Sequence, residues 1–493
     1  MNLLNNEARW VREALFEQAT NSKHDIALRY CDKDDVESYS YSQLISLGYS
    51  LATRIEIENN PPGPAILLMP GGSPFVISFI ACIIRGVSAV PVHLTNHFKL
   101  GRSIDTLSHI LVDSQCEYIF TLSSLSDEIK KQGWHRTHQI IFVDQQLTDS
   151  SRYFPTKKNY DALYYPSHLP VYLQYSSGST AKPKAVCNYD HNMRVQHHIL
   201  LELHLHCQPK IITANWLPFY HDLGMFSGLL LPLLSGGCCN FMPSVHFIAE
   251  PFRWLKMIND YQANSGAAPD FAWDLCTTMV TDEQIRQLDL SSIKMAMNGA
   301  EPIRPETMAN FAAHFASTGF DAHSFTPGYG LAEATLTISH KPIDTDYCCL
   351  AFNPMALAAG KAILDPQGCR LISSGHVVRA WQLQIVDPQT CQPLPEASIG
   401  EVWVRGGSVA GGYWQQPELT KATFHNTLAG NSHHDYLRTG DLAFVYQGEL
   451  FICGRLKDLI IVAGQNYMPK DIETAIEYAC DDIHTGGVCV SAF

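Results

Sequence analysis

From the N-terminus to about Ala334, short apolar runs of strand length alternate with longer segments of helical periodicity. AILLMP near residue 65, SAVPVHL from 88, EYIFTL and QIIFV come first, with FVISFIACIIRG among them as a helical stretch. VYLQYS, GGCCNFM, SGAAPD and KMAMNGAEP continue the pattern, interleaved with PFRWLKMINDY and PETMANFAAHFA. Such alternation predicts an α/β fold, because each helix must lay its apolar face on a sheet. After Ser374 the texture changes to short alternating strands, WQLQIVD, GEVWVRGG and GELFICGR, punctuated by Gly and Pro, which predicts a β-rich subdomain. The expected organisation is two related α/β subdomains at 1–170 and 171–345, an insertion at 346–370, and a β-rich subdomain at 371–453. The insertion is expected because the stretch around it, with Pro342, Pro354 and Pro366, matches neither pattern.

Composition narrows the function. The chain has 493 residues, 46% hydrophobic and 17% charged, with a net charge of −14, which excludes disorder and collagen. No run of Lys and Arg offers the cationic face that duplex nucleic acid or an anionic membrane needs. Any phosphate must be gripped locally. The 15 cysteines are scattered without a CxxC or an even framework, as expected in a reducing cytoplasm. The N-terminal MNLLNNEARWVREALFEQ reads as an amphipathic helix, not a secretory signal. Residues 223–245 carry no charge, but repeated Gly and Pro predict a buried helix followed by a strand, with no integral membrane segment.

The strongest local chemistry is LQYSSGSTAKPKAV at 173–186. Hydroxyls at Tyr175, Ser176, Ser177, Ser179 and Thr180 surround Gly178, and Lys182 and Lys184 flank Pro183. Gly178 lets the backbone approach closely, hydroxyls and amides donate to phosphate oxygens, and a lysine supplies compact positive charge. The GxxxxGK[ST] spacing of a Walker loop is absent. A Ser/Thr/Gly stretch is by itself also the composition of a solvated loop. Its place directly after a strand, together with the motifs that follow, marks it as a phosphate grip.

Five motifs follow in order: NWLPFYHDLGM at 215–225, NGAEP at 298–302, YGLAEATL at 329–336, YLRTGD at 436–441 and GRLKDLII at 454–461. With them the chain resembles the adenylate-forming superfamily of acyl-CoA synthetases, luciferases and peptide-synthetase adenylation domains, whose phosphate loop is similar to residues 176–184. Its wording is most similar to the fatty acyl-AMP ligases, in HDLG, SGAAPDFAWDLC, NGAEPIRPETMANFAAHFASTGF and YGLAEATL. That family carries an insertion where residues 341–369 fall, associated with passing acyl-adenylate to a carrier protein instead of to coenzyme A.

The resemblance implies roles that elementary chemistry supports. Ser176, Ser177, Gly178, Ser179 and Thr180 would hold ATP phosphates, with Lys184 as a catalytic cation. Glu333 would act as a catalytic carboxylate and bind Mg²⁺, a hard ion that takes one or two carboxylates and completes its shell with phosphate and water, the alternative being a helix N-terminal charge. Tyr329, beside Gly330, would stack on adenine, the alternative being a packed core aromatic. Asn298, Gly299, Ala300 and Glu301 would meet the adenine's polar edge. Asp441, expected in a turn after Gly440, would accept ribose hydroxyls, and Arg455 would meet ribose or phosphate. His221 would steer the substrate carboxylate, or else be structural, while Met225, Phe226 and Leu229 line an acyl channel. Arg405 and Arg438 are expected to be solvated or paired with carboxylates. His204, His206 and Cys207 lack the rest of a metal ligand set.

The implied activity is conversion of a fatty acid and MgATP to acyl-adenylate and pyrophosphate. The acyl group would then pass to an acyl carrier protein or to a polyketide- or peptide-synthetase carrier domain. The alternatives are an acyl-CoA synthetase and a binding module without turnover. The superfamily's usual catalytic lysine lies in a C-terminal domain well beyond the hinge. Residues 454–458, with Lys457, match that hinge, and 459–493 would be an incomplete part of that domain.

Overall fold

The apolar runs of the N-terminal region become a six-stranded sheet. Across it lie Gln139–Phe142, Tyr118–Thr121, Ala65–Leu68, Ala89–Pro91, Tyr172–Ser176 and Lys184–Asn188, parallel except for the final antiparallel pair. Ala65–Leu68 and Tyr118–Thr121 are buried at every position, as strands covered on both faces must be. The helix Ser73–Arg85 buries all its residues but Pro74 and Arg85; the proline sits at its start, where it needs no intrahelical donor. Ile66, Val90, Ile119 and Leu173 pack with Leu107 and Leu111 in one core, each contributing roughly 1.5–3 kcal/mol by leaving water.

The computed structural model describes residues 9–462 apart from 34, 59–60, 95–103, 148–152, 164, 167, 177–181, 208, 343–344 and 431–434; beyond them it describes 465–467, 469, 472–473, 476, 488 and 490. The chain forms two compact units. One is Met1–Ser265 with Ala410–Pro417; the other is Gly266–Val409 with Glu418–Phe493.

The first unit also carries Ile212–Asn215, Cys238–Phe241, Ile26–Asp32 and Asp35–Ser40, side by side and parallel until the last pair. The N-terminal amphipathic segment forms the helix Trp10–Asn21. The uncharged segment gives the expected helix and strand, but the helix opens as a π-helix over Leu223–Leu230 before continuing as Leu231–Leu234. Beside it, Thr213 donates its hydroxyl to the Gly228 carbonyl at 2.9 Å. A Cβ on Gly228 would lie 2.3 Å from the Asn215 amide nitrogen, so only glycine fits. Among the described residues no helix is long and apolar enough to cross a membrane.

In the second unit, Ser265–Ala268, Met295–Asn298, Phe325–Gly330, Thr337–His340 and His376–Val377 lie side by side, and the pairing turns antiparallel after Phe325–Gly330. The β-rich texture after Ser374 becomes a four-stranded antiparallel meander: Trp381–Val386, Gly400–Gly406, Leu437–Tyr446 and Glu449–Arg455. The proline-rich stretch between them is an ordered module. Cys349–Phe352 pairs with Cys369–Ile372, and a short helix, Pro354–Ala358, starts from Asn353. Phe352 anchors it, fully buried and edge-on to Phe444 and Phe451 at 5.0 and 5.4 Å. The predicted C-terminal helix lies largely outside the described residues.

Candidate active site

In the first unit, two features of the sequence meet chemistry. The phosphate-grip segment leaves the sheet at Ser176 and returns at Lys184, which is its register partner. Ser177, Gly178, Ser179 and Thr180 lie outside the described residues. The base of the segment is held from below: the Tyr175 hydroxyl donates to Asp113 Oδ2 at 2.7 Å. Burial and that carboxylate push the phenol's pKa well up. Lys182 is exposed, while Lys184 is partly buried with Nζ 5.2 Å from the centre of the Tyr413 ring. Asp113 and Tyr413 carry no motif, and the sequence offered no signal for either.

His221 is exposed at the head of the π-helix, its carbonyl accepting from the Met225 amide at 2.8 Å. Asp222 accepts from the Leu223 amide at 2.8 Å, a capping role that suits a carboxylate at a helix start. Met225, Phe226 and Leu229 are buried, so the predicted acyl-channel residues belong to the apolar core of this unit. His204 is structural: buried, it bonds the Leu200 carbonyl through Nδ1 and Ser265 Oγ through Nε2.

In the second unit, residues far apart in sequence form one polar cluster. Tyr329 ends its strand half-buried, and its hydroxyl donates to Asp441 Oδ2 at 2.7 Å. Arg455, the cross-strand partner of Asp441, brings Nε to 3.5 Å from Oδ1. Burial raises the Asp441 pKa, opposed by the tyrosine hydrogen bond and Arg455 and reinforced by the nearby charges of Glu333 and Glu401. Tyr329 is held far above the ordinary phenol range, by burial first and by Asp441 second. Glu333 sits half-buried in the short turn Ala332–Ala334. Thr335 follows at φ +69, buried, its hydroxyl donating to the Ser408 carbonyl at 2.7 Å. A β-branched residue in that region is strained.

The expected turn at Asp441 is corrected: the residue lies inside the strand Leu437–Tyr446. Gly440 adopts φ +74, and the strand's register shifts on both sides, so a bulge produces the glycine-aspartate signature that resembles a turn. Buried Glu401 holds the bulge, accepting from the Gly440 amide at 3.2 Å, from Trp403 Nε1 at 2.9 Å and from Arg438 Nη2 at 2.7 Å. Arg438 is thus paired with a carboxylate as expected. Arg405 instead bonds the Gln382 side-chain carbonyl and lies over Tyr436.

Asn298 is buried and donates Nδ2 to Asp270 Oδ1 at 3.1 Å, while its Oδ1 has no hydrogen-bond partner among the described residues. Asp270, which the sequence did not single out, also accepts from Arg304 Nε at 2.7 Å and Thr307 Oγ1 at 2.9 Å. Gly299 and Ala300 follow, Ala300 at φ +67. Glu301 turns its carboxylate to the Phe271 amide at 2.7 Å, capping the helix Asp270–Met279. Gly330 closes the Tyr329 strand; Arg455 and Lys457 are exposed near the chain's last described strands.

The α/β sheets of the two units, with the aromatic–carboxylate cluster of the second and the Ser- and Thr-rich segment that follows Tyr172–Ser176 in the first, are those of an adenylate-forming enzyme fold. The model described as AMP-binding enzyme matches residues 15–414. The chain belongs to the AMP-binding enzyme family. It is 35% identical to a medium-chain-fatty-acid–[acyl-carrier-protein] ligase, JamA, of Moorena producens, over 90% of this chain and 76% of the relative. FadD25 of Mycobacterium tuberculosis, provisionally named a fatty-acid–CoA ligase, is 33% identical over 94% of this chain and 82% of its own length. A fatty acyl-adenylate ligase from L. pneumophila, solved with acyl adenylate and pyrophosphate, is 30% identical with a TM-score of 0.79. That comparison covers 95% of this chain and 81% of the other.

Proposed function

We propose that this enzyme activates a fatty acid with ATP to acyl-adenylate, releasing pyrophosphate, and passes the acyl group to the phosphopantetheine thiol of an acyl carrier protein. The observation that carries the acyl half of this reading is the buried π-helix Leu223–Leu230 headed by Tyr220 and His221. It presents an imidazole where an amino-acid-activating site needs a carboxylate for an α-amine. Asp222, the next residue, accepts from its own helix.

In the first step a carboxylate oxygen forms a bond to the α-phosphorus as the bond to the bridging oxygen of pyrophosphate breaks. In the second, a carrier thiol attacks the acyl carbonyl, loses its proton and displaces AMP. The protein's work is positioning and charge neutralisation. Lys184 and the hydroxyls and amides of residues 176–180 grip phosphate oxygens. Asn298 Oδ1, a buried acceptor, receives the adenine amino group, and Tyr329 packs on the ring. Asp441 receives ribose hydroxyls with Arg455 beside it, and His221 orients the substrate carboxylate. Among the described residues no group of three His, Cys, Asp or Glu side chains could hold a metal, but Mg²⁺ on a nucleotide needs only one protein carboxylate, and Glu333 fits that need. Bound there, the ion would neutralise charge on the phosphates.

The hairpin-and-helix module of Cys349–Ile372, overlapping the expected insertion at 346–370, is the insertion that favours a carrier protein, and 454–458 with Lys457 is the hinge. The free cysteines, Cys369 exposed among them, suit a reducing cytoplasm. FadD25 motivates a second reading, transfer to coenzyme A. Labelled fatty acids of several chain lengths with MgATP, resolved by thin-layer chromatography, test both. Acyl-AMP should accumulate and be discharged by a holo-carrier protein. Discharge by coenzyme A alone establishes the second reading, and absence of any adenylate while ATP binds defeats both.

A further inference from the structure

The head of the π-helix has a neighbour outside every motif. His93 lies two residues beyond the strand Ala89–Pro91, which runs parallel to Tyr172–Ser176 in the adjacent position. Both strands therefore end on the same edge of the sheet, and the phosphate-grip segment leaves from that edge. In open parallel sheets this carboxyl edge is where ligands bind. The His93 ring stands edge-on to Tyr220 with centroids 4.7 Å apart, and the His221 ring lies 4.9 Å from the same phenol. Two imidazoles thus flank one aromatic ring. Both are exposed to solvent while the residues below are core.

We propose that His93 is a second receiver of the acyl carboxylate, sharing the head of the acyl site with His221 across the ring of Tyr220. This rests on the fatty-acid reading above. A carboxylate has two oxygens, and one imidazole N–H satisfies only one of them. A second donor fixes the other, so the attacking oxygen keeps one orientation. Burial, and then the neighbouring His221, hold His93 below the ordinary imidazole range. His93 is therefore held toward its neutral form, and a neutral imidazole still donates one N–H to a carboxylate oxygen. Tyr220 serves as a spacer between the two imidazoles.

The test compares decanoate as substrate with decanol as a competitive inhibitor, in wild type, His93→Ala and His93→Gln. Loss of one hydrogen bond to a charged group should raise KM for decanoate about ten-fold in His93→Ala and lower kcat, because the attacking oxygen loses its fixed orientation, with the decanol inhibition constant nearly unchanged. His93→Gln, which keeps an N–H donor, should recover most of the loss. An unmoved decanoate KM overturns the assignment. A parallel loss of decanol binding also overturns it, because that marks a merely structural role. Failure of the wild type to adenylate any fatty acid defeats the fatty-acid reading, and the paired receiver with it, whereas wild-type turnover with an indifferent His93→Ala defeats the pairing alone.

Discussion

The two units solve opposite problems. Around His221 the first unit is built from core: Met225, Phe226 and Leu229, proposed to line the acyl chain, are almost without solvent exposure, and the groups at the helix head include the His93 and His221 imidazoles and the Tyr220 phenol. Around Asp441 the second unit builds from charge: Asp441, Glu333, Glu401, Arg438 and Arg455 lie in one antiparallel corner with Tyr329. Apolar surface that binds a chain also stabilises the fold, so function and stability coincide there. A carboxylate that burial penalises does the reverse.

Three experiments break or sharpen this contrast. Phe226→Ala, which deletes a fully buried ring, should lower unfolding free energy by about 3–5 kcal/mol in a urea titration. A stable variant with altered chain-length preference would instead show that the acyl surface is separable from the core.

Asp441→Asn should lower kcat/KM for ATP by about 100-fold, the scale expected when one partner of a hydrogen-bonded charge pair is lost. The same change should raise stability at neutral pH. Burial puts the Asp441 pKa above its unfolded value, so the group's contribution is fully present below about pH 3.9 and is lost as pH rises through the folded pKa. The asparagine has no such loss. The denaturation midpoint of the variant should exceed wild type at pH 7 and converge with it in acid. A midpoint lower at pH 7 would mean that Arg455 and Tyr329 outweigh the burial cost.

Tyr329→Phe removes one hydrogen bond to Asp441 and should reduce kcat/KM for ATP by about ten-fold, near 1.5 kcal/mol, with the fold intact. An effect as large as that of Asp441→Asn would mean that the hydroxyl, and not only the ring, meets the nucleotide.

Much of this was legible without coordinates, and the exceptions have physical reasons. His221, Glu333 and Tyr329 lie in ordered motifs, where several residues constrain one another. Asp441 was singled out, but its surroundings were misjudged, because a strand bulge and a turn both need Gly440 at positive φ. Asp113, Glu401 and His93 stand in no motif, and Asp270 lies within SGAAPDFAWDLC without being singled out. Their significance comes from what lies opposite them, as when Asp270 gathers Asn298, Arg304 and Thr307. The strain at Thr335 leaves no trace in residue type, since threonine ordinarily avoids that conformation.

The amino-acid sequence alone determined the α/β class, the strands and helices of the core, and the order of the motifs. Each of these follows from local periodicity and from burial, which neighbouring residues express together. Only the tertiary structure decided that Tyr329 would give its hydroxyl to Asp441, 112 residues away, that Glu401 would hold the Gly440 bulge, and that His93 and His221 would share one tyrosine. Such pairings depend on strand order and register, and a register is chosen by the packing of whole sheets.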